Sequence, residues 1–158
     1  MTFFLKKHIH LFTHNSNFFI FTVALFLVGC GSNLERIPAE QVDTTEKQFA
    51  EQMANMILSR CLSYDYSALP LEQTNEAMIK GFDAGIFQQT CELLKNKYGK
   101  FRSMEFVEAM QQPESNEYTI YRFKGNFKEA IKLPEIRITI DQTGKLAGFF
   151  TTKWNDNL

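Results

Sequence analysis

The residues whose types and spacing could do chemistry form three small groups. The first is the cysteines Cys30, Cys61 and Cys91. Cys30 follows an uncharged run and a Leu-Val-Gly triplet, and its thiol is a candidate nucleophile for acylation. Cys61 and Cys91 fall on apolar stripes of two expected helices. They are either a disulfide or two buried thiols acting as small hydrophobes. The second group is Tyr64-Asp65-Tyr66. A carboxylate in a pocket can serve as a general base, and a tyrosine hydroxyl can donate to an oxyanion. The same triplet can equally be a turn, with Asp65 accepting from nearby backbone N–H groups and the tyrosines packing on the sheet edge. The third group is aromatic. Phe149 points away from Phe150 and Trp154 along an expected last strand, so Phe150 and Trp154 either line a pocket mouth or form the rim of the core.

Composition removes other classes. The chain has 158 residues with 17 Lys+Arg against 18 Asp+Glu, room for one domain and hardly two. Residues 1–29 hold all three histidines, the only ones in the chain, and Lys6 and Lys7 without any acid. If that segment is removed as a leader, 15 of the 17 basic residues face all 18 acids, and no histidine is left. This argues against His-dependent catalysis, His-ligated metal and a strongly basic nucleic-acid binder. Two cysteines without histidine make a poor zinc site, so no metal and no cofactor are expected. There is no Gly-rich phosphate loop, Ser nucleophile elbow, or kinase or protease signature.

The N-terminus reads as an export signal. Lys6 and Lys7 precede Phe18 to Val28, an uncharged run of 11 residues. A spanning helix needs about 20 apolar residues, so the run fits a signal better than an anchor. Leu27-Val28-Gly29-Cys30 resembles the bacterial lipobox. That resemblance implies cleavage after Gly29 and a diacylglyceryl group on Cys30, with further acylation of the new N-terminus. Each buried methylene contributes about 0.8 kcal/mol, so two or three chains hold a protein at a membrane. Gly31 stands where Asp would retain a Gram-negative lipoprotein at the inner membrane, so the outer membrane, periplasmic face, is favoured for such a host. Residues 31–43 show no periodicity and hold Pro38. They are expected to be a tether of roughly 13 residues, reaching about 40 Å when extended.

The elements that must position these groups are helices first, then strands, in a single domain over 44–154. Phe49, Met53, Met56, Ile57 and Cys61 make one stripe, which predicts a helix over 44–63, with Asp43-Thr44-Thr45 as candidate caps and Thr45 with Gln48 fitting a capping box. A short helix over 72–80 is expected next. Phe87, Cys91, Leu94 and Tyr98 predict another over 84–98, capped by Asp83 and closed by Gly99 in a left-handed conformation. The period then changes to two. Met104, Phe106 and Glu108 alternate with Glu105, Val107 and Ala109, Gln111 to Asn116 reads as a turn, and Tyr118 to Phe123 as a strand. Ile136, Ile138 and Ile140 mark a third strand, irregular at Pro134 or at an edge. Asp141-Gln142-Thr143-Gly144 is a hairpin turn, and Leu146 to Trp154 a fourth strand. Segregated helices and an antiparallel meander make an α+β fold.

This order, with Leu62-Ser63-Tyr64-Asp65-Tyr66 after the first helix and Glu135 to Phe149 closing the sheet, resembles uncharacterised exported domains of the cystatin-like superfold, which includes nuclear-transport-factor-2-like domains. The resemblance implies N-terminal helices packed on a curved four-stranded antiparallel sheet and allows a homodimer through that sheet. It carries over no catalytic residue. The expected function is a non-enzymatic, membrane-anchored envelope lipoprotein whose domain binds a small ligand or an envelope protein. Two other readings stay open. One is an isomerase- or hydratase-like enzyme using Asp65 and tyrosines, since some isomerases of this general fold pair an Asp base with a Tyr donor. The other is a cystatin-like protease inhibitor presenting the Gln111–Asn116 or Asp141–Gly144 hairpin. If Cys61 and Cys91 are bonded, the loop between them contributes on the order of 3–4 kcal/mol.

Overall fold

Asp43 starts the first long helix. Its carboxylate accepts from the Glu46 backbone N–H at 2.8 Å, and helix α1 runs Thr44–Ser63. The cap is therefore Asp43, and the Thr45–Gln48 box is not used. Glu46, third in the helix, instead accepts the Tyr121 hydroxyl proton. Burial first, and the Glu46 carboxylate second, push the Tyr121 pKa well up. The computed structural model describes residues 34–113 and 115–156, so the expected leader and Cys30 lie outside the described residues.

Helix α2 is Glu76–Gly81, capped by Asn75 rather than starting near 72, and helix α3 is Ala84–Tyr98, capped by Asp83. Five strands follow one antiparallel order: β1 Glu35–Arg36, β2 Phe101–Gln112, β3 Ser115–Phe127, β4 Pro134–Asp141 and β5 Leu146–Lys153. The fold is α+β, with five strands where four were expected. The added strand comes from the expected tether. Glu35 and Arg36 pair with Gln111 and Met110, the Ile37 N–H bonds to the Ala109 carbonyl at 2.9 Å, and Ala39–Gln41 form a 3-10 turn. Two residues are too few to show a period, so the strand is invisible as a pattern. Its partner is the otherwise open edge of β2.

The expected turn over Gln111–Asn116 is also shorter. Gln111 and Gln112 belong to β2, Ser115 and Asn116 to β3, and Gln112 pairs with Ser115. Polar side chains do not stop a ladder that backbone bonds hold together. Pro134 is the first residue of β4, which is interior, so the missing N–H sits at a strand end and not at a sheet edge.

The helices cover one face of the sheet. Ile136, Ile138 and Ile140 of β4 are completely buried there with Tyr121, Phe123 and Leu146. Each buried aliphatic of this kind contributes about 1.5–3 kcal/mol. Against them α1 presents Ala50, Met53, Ala54, Ile57 and Leu58. The two alanines bring the helix close to the strands, while Phe49, Met56 and Cys61 of the expected stripe are only partly buried.

Irregularities in β2 decide what faces the other side. Phe106 pairs with Phe123 and Glu108 with Arg122, which leaves Val107 as an extra residue. A bulge of this kind reverses side-chain parity and bends the strand. Phe106 therefore packs among the core aromatics, and Glu108 falls on the opposite, outer face, although simple alternation would put them together.

Candidate functional site

Cys61 on α1 and Cys91 on α3 are joined by a disulfide, with α-carbons 5.0 Å apart. The bridge pins the C-terminal half of α1 to the middle of α3. Beside it lies a cavity of about 290 Å³, lined by Leu58, Cys61, Leu62, Cys91, Leu94, Gly99, Phe101 and Phe127, with the exposed Tyr64, Lys95 and Lys100 at its rim. It opens at the end of the sheet where β2 begins and β3 ends.

The rim has an unusual backbone. Tyr64 caps α1 with φ 58° and ψ 31°, the left-handed region, and is the one non-glycine residue with positive φ among the described residues. Its N–H and that of Asp65 both bond to the Arg60 carbonyl, at 3.0 Å for Asp65. Glycine is the usual residue here, and a side chain costs about 1–2 kcal/mol. The ring it carries meets Lys95. Lys95 Nζ donates to the Tyr64 hydroxyl oxygen at 3.0 Å and lies 5.3 Å from the ring centroid. The hydrogen bond and the charge of Lys95 lower the Tyr64 pKa, and the same hydrogen bond raises that of Lys95. Gly99 closes α3 with φ 77° and ψ −154°, positive in φ as expected but outside the left-handed helical region. A side chain there would meet the Glu129 β-carbon at 2.8 Å.

The Tyr-Asp-Tyr triplet is divided in role. Asp65 faces solvent: its Oδ1 accepts from the Ser67 N–H at 3.0 Å, and Arg60 lies 3.8 Å from Oδ2. Hydrogen bonds to Ser67 hold its pKa below the ordinary carboxylate value. An exposed, acid-shifted carboxylate in a turn lacks the burial that tunes a general base. Tyr66 packs edge-on to Phe87, centroids 5.9 Å apart. Arg60 donates to the Ser67 and Ala68 carbonyls at 3.2 Å each, which anchors the loop.

Phe150 and Trp154 are not part of this cavity. They lie on the outer sheet face, opposite the buried Phe149, and Phe150 also borders a groove with Leu93, Leu94 and Tyr98 of α3. Phe150 lines an open groove of about 570 Å³ with Leu34, Tyr118, Ile120, Arg137 and Thr152. Trp154 covers an ionic ladder that composition does not reveal. Arg122 donates to Glu135 at 2.7 and 3.0 Å, to Glu108, and to the Asn155 carbonyl at 2.8 Å. Glu108 also meets Arg36, and Glu135 meets Arg137 at 2.5 Å. Burial alone would raise the Glu135 pKa, but the hydrogen bonds from Arg122 and Arg137 outweigh it and hold the carboxyl below its ordinary range.

Lys95, Lys100 and the ladder residues were not among the expected site residues. Arg122, Glu135 and Arg137 have outward parity in their strands, but only the register shows that they meet. Among the described residues, no group of three or more His, Cys, Asp or Glu comes together, and no helix is long and apolar enough to cross a membrane. Compared with protein-family models, with curated proteins and with solved structures, the chain matches none.

Proposed function

We propose that this chain is a cell-envelope lipoprotein, anchored through acylated Cys30, whose α+β domain binds a small ligand and carries out no chemistry on it. The observation that carries the binding reading is the largely apolar cavity beside Cys61–Cys91, whose polar side chains, Tyr64, Lys95 and Lys100, are all exposed. Small-molecule sites have this form: apolar walls with a few placed polar groups. The anchor reading is supported by the basic start, the uncharged run and Leu27-Val28-Gly29-Cys30. In this reading the sheet and helices are of the cystatin-like superfold, with α1 laid across a bulged antiparallel meander. An outer-membrane, periplasmic-face location in a Gram-negative host follows from Gly31.

The anchor is tested by the intact mass of the protein from its own host's membranes. The expected species lacks residues 1–29, carries acyl mass on Cys30 and gains about 2 Da on reduction, the two hydrogens of two thiols. An unacylated chain, or one that keeps its leader, would remove the lipoprotein reading.

A second reading, a cystatin-like inhibitor of an envelope protease, is favoured by one observation. The Gln142 N–H donates to the Glu117 carbonyl at 3.0 Å, which sets the β2–β3 and β4–β5 hairpins side by side at one end of the sheet. Two adjacent hairpins can form a wedge. Unchanged inhibition of envelope proteases after replacing both turns with Gly-Ser would exclude it.

A further inference from the structure

We infer that the cavity beside Cys61–Cys91 takes an amphipathic anion, a small carboxylate with an apolar body, whose head group is held by Tyr64, Lys95 and Lys100. The inference rests on the ligand-binding reading above and specifies its ligand class.

The walls come first. Leu58, Leu62, Leu94, Phe101, Phe127 and the disulfide offer an apolar body no hydrogen-bonding group. At about 290 Å³ the space stands at the small end of ligand pockets, roughly 300–1,000 Å³, so the body is short. The disulfide and the Gly99 turn hold the wall in place, so binding needs little reorganisation.

The rim supplies the sign. Lys95 and Lys100 both line the mouth, and neither is ion-paired among the described residues. Glu92 is the acid that acts on Lys95, weakly and from its own helix, and the Glu129 side chain lies against Gly99 without pairing to either lysine. Tyr64 adds a directed donor. Its oxygen already accepts from Lys95 Nζ, which leaves the phenolic O–H available to donate to a further acceptor. A carboxylate there would accept from one hydroxyl and two ammonium groups, each a charge-assisted bond. The left-handed backbone at Tyr64 agrees with this. Glycine would cap α1 at lower cost, and what Tyr adds is a ring and hydroxyl at the cavity mouth.

Lysine-resolved reductive methylation of the full chain in its membranes, read by mass spectrometry, tests the assignment. The probes are hexanoate, hexan-1-ol and acetate at equal millimolar concentration, with Lys80 and Lys132 as internal controls. Hexanoate is expected to slow labelling of Lys95 and Lys100 several-fold while the controls are unchanged, with hexanol and acetate clearly weaker. Tyr64→Phe and Lys95→Gln are each expected to raise the hexanoate concentration needed to protect Lys100 about tenfold, the worth of one charge-assisted hydrogen bond. Equal protection by acetate would show that the apolar walls play no part, and equal protection by hexanol that the cations play none. Either overturns the inference, as does uniform or absent protection. The same digest reports whether Cys30 is acylated, so loss of the ligand assignment is distinguished from loss of the anchor.

Discussion

The Trp154 indole lies over the Arg122 guanidinium, 4.4 Å from the ring centroid to the guanidinium carbon, and Lys124 Nζ reaches the same ring at 4.6 Å. Among the described residues no helix covers this side of the sheet, yet Arg122 is 1% and Glu135 0% exposed. The C-terminal segment does the covering: the Trp154 N–H bonds to the Leu133 carbonyl at 3.0 Å, and Asn155 accepts from Arg122. Removing Arg122 should therefore be costly, because two buried carboxylates lose the cation they share and keep only the more exposed Arg36 and Arg137. Arg122→Met is expected to destabilise by about 3–5 kcal/mol in urea unfolding. A loss under about 1 kcal/mol would mean that the ladder is wetter than its geometry implies.

The ladder also sets an acid limit. Glu135 has a folded pKa below the ordinary value of 4.5, so it binds fewer protons folded than unfolded. Its stabilisation is complete above about pH 4.5 and is lost as pH falls through the lower, folded value. Stability measured from pH 7 to pH 3 should fall along this limb in the native chain and less steeply in Glu135→Gln.

The disulfide closes a separation of 30 residues. Reduction, or Cys61→Ala with Cys91→Ala, is expected to lower stability by about 3–4 kcal/mol. Urea unfolding with and without reductant measures it, and the double variant should not respond to reductant.

The Tyr98 hydroxyl is buried and has no hydrogen-bond partner among the described residues. Deleting an unsatisfied polar atom while keeping the ring against Phe127, centroids 5.7 Å apart, should help. Tyr98→Phe is expected to raise stability by about 1 kcal/mol. A loss of that size would show that the hydroxyl has a partner in solution.

Tyr64→Gly should separate stability from binding. Relief of the left-handed tyrosine is expected to raise stability by about 1 kcal/mol, while hexanoate protection of Lys100 is lost. A variant that is less stable would show that the Tyr64–Lys95 contact outweighs the strain.

Several elements were legible along the chain because their signals are local. Asp43 and Asp83 cap helices whose apolar residues repeat at helical spacing, and both helices fall at Thr44–Ser63 and Ala84–Tyr98 as read. Alternation at Ile136, Ile138 and Ile140 marked the buried strand, and Phe149 and Phe150 took opposite faces as their spacing requires. Cysteines on two helical stripes left bonding open, and the helix packing settled it.

What sequence alone determined is the three helices, four of the five strands, their order and the α+β class, since each depends on capping and periodicity within a few residues. Tertiary structure decided the rest. The Val107 bulge turned Glu108 toward Arg122, β1 found the free edge of β2, and the α1–α3 bridge brought Tyr64 to Lys95, 31 residues on. These depend on register and on contacts between distant segments. A one-residue slip inverts a strand's faces, and no local pattern records it.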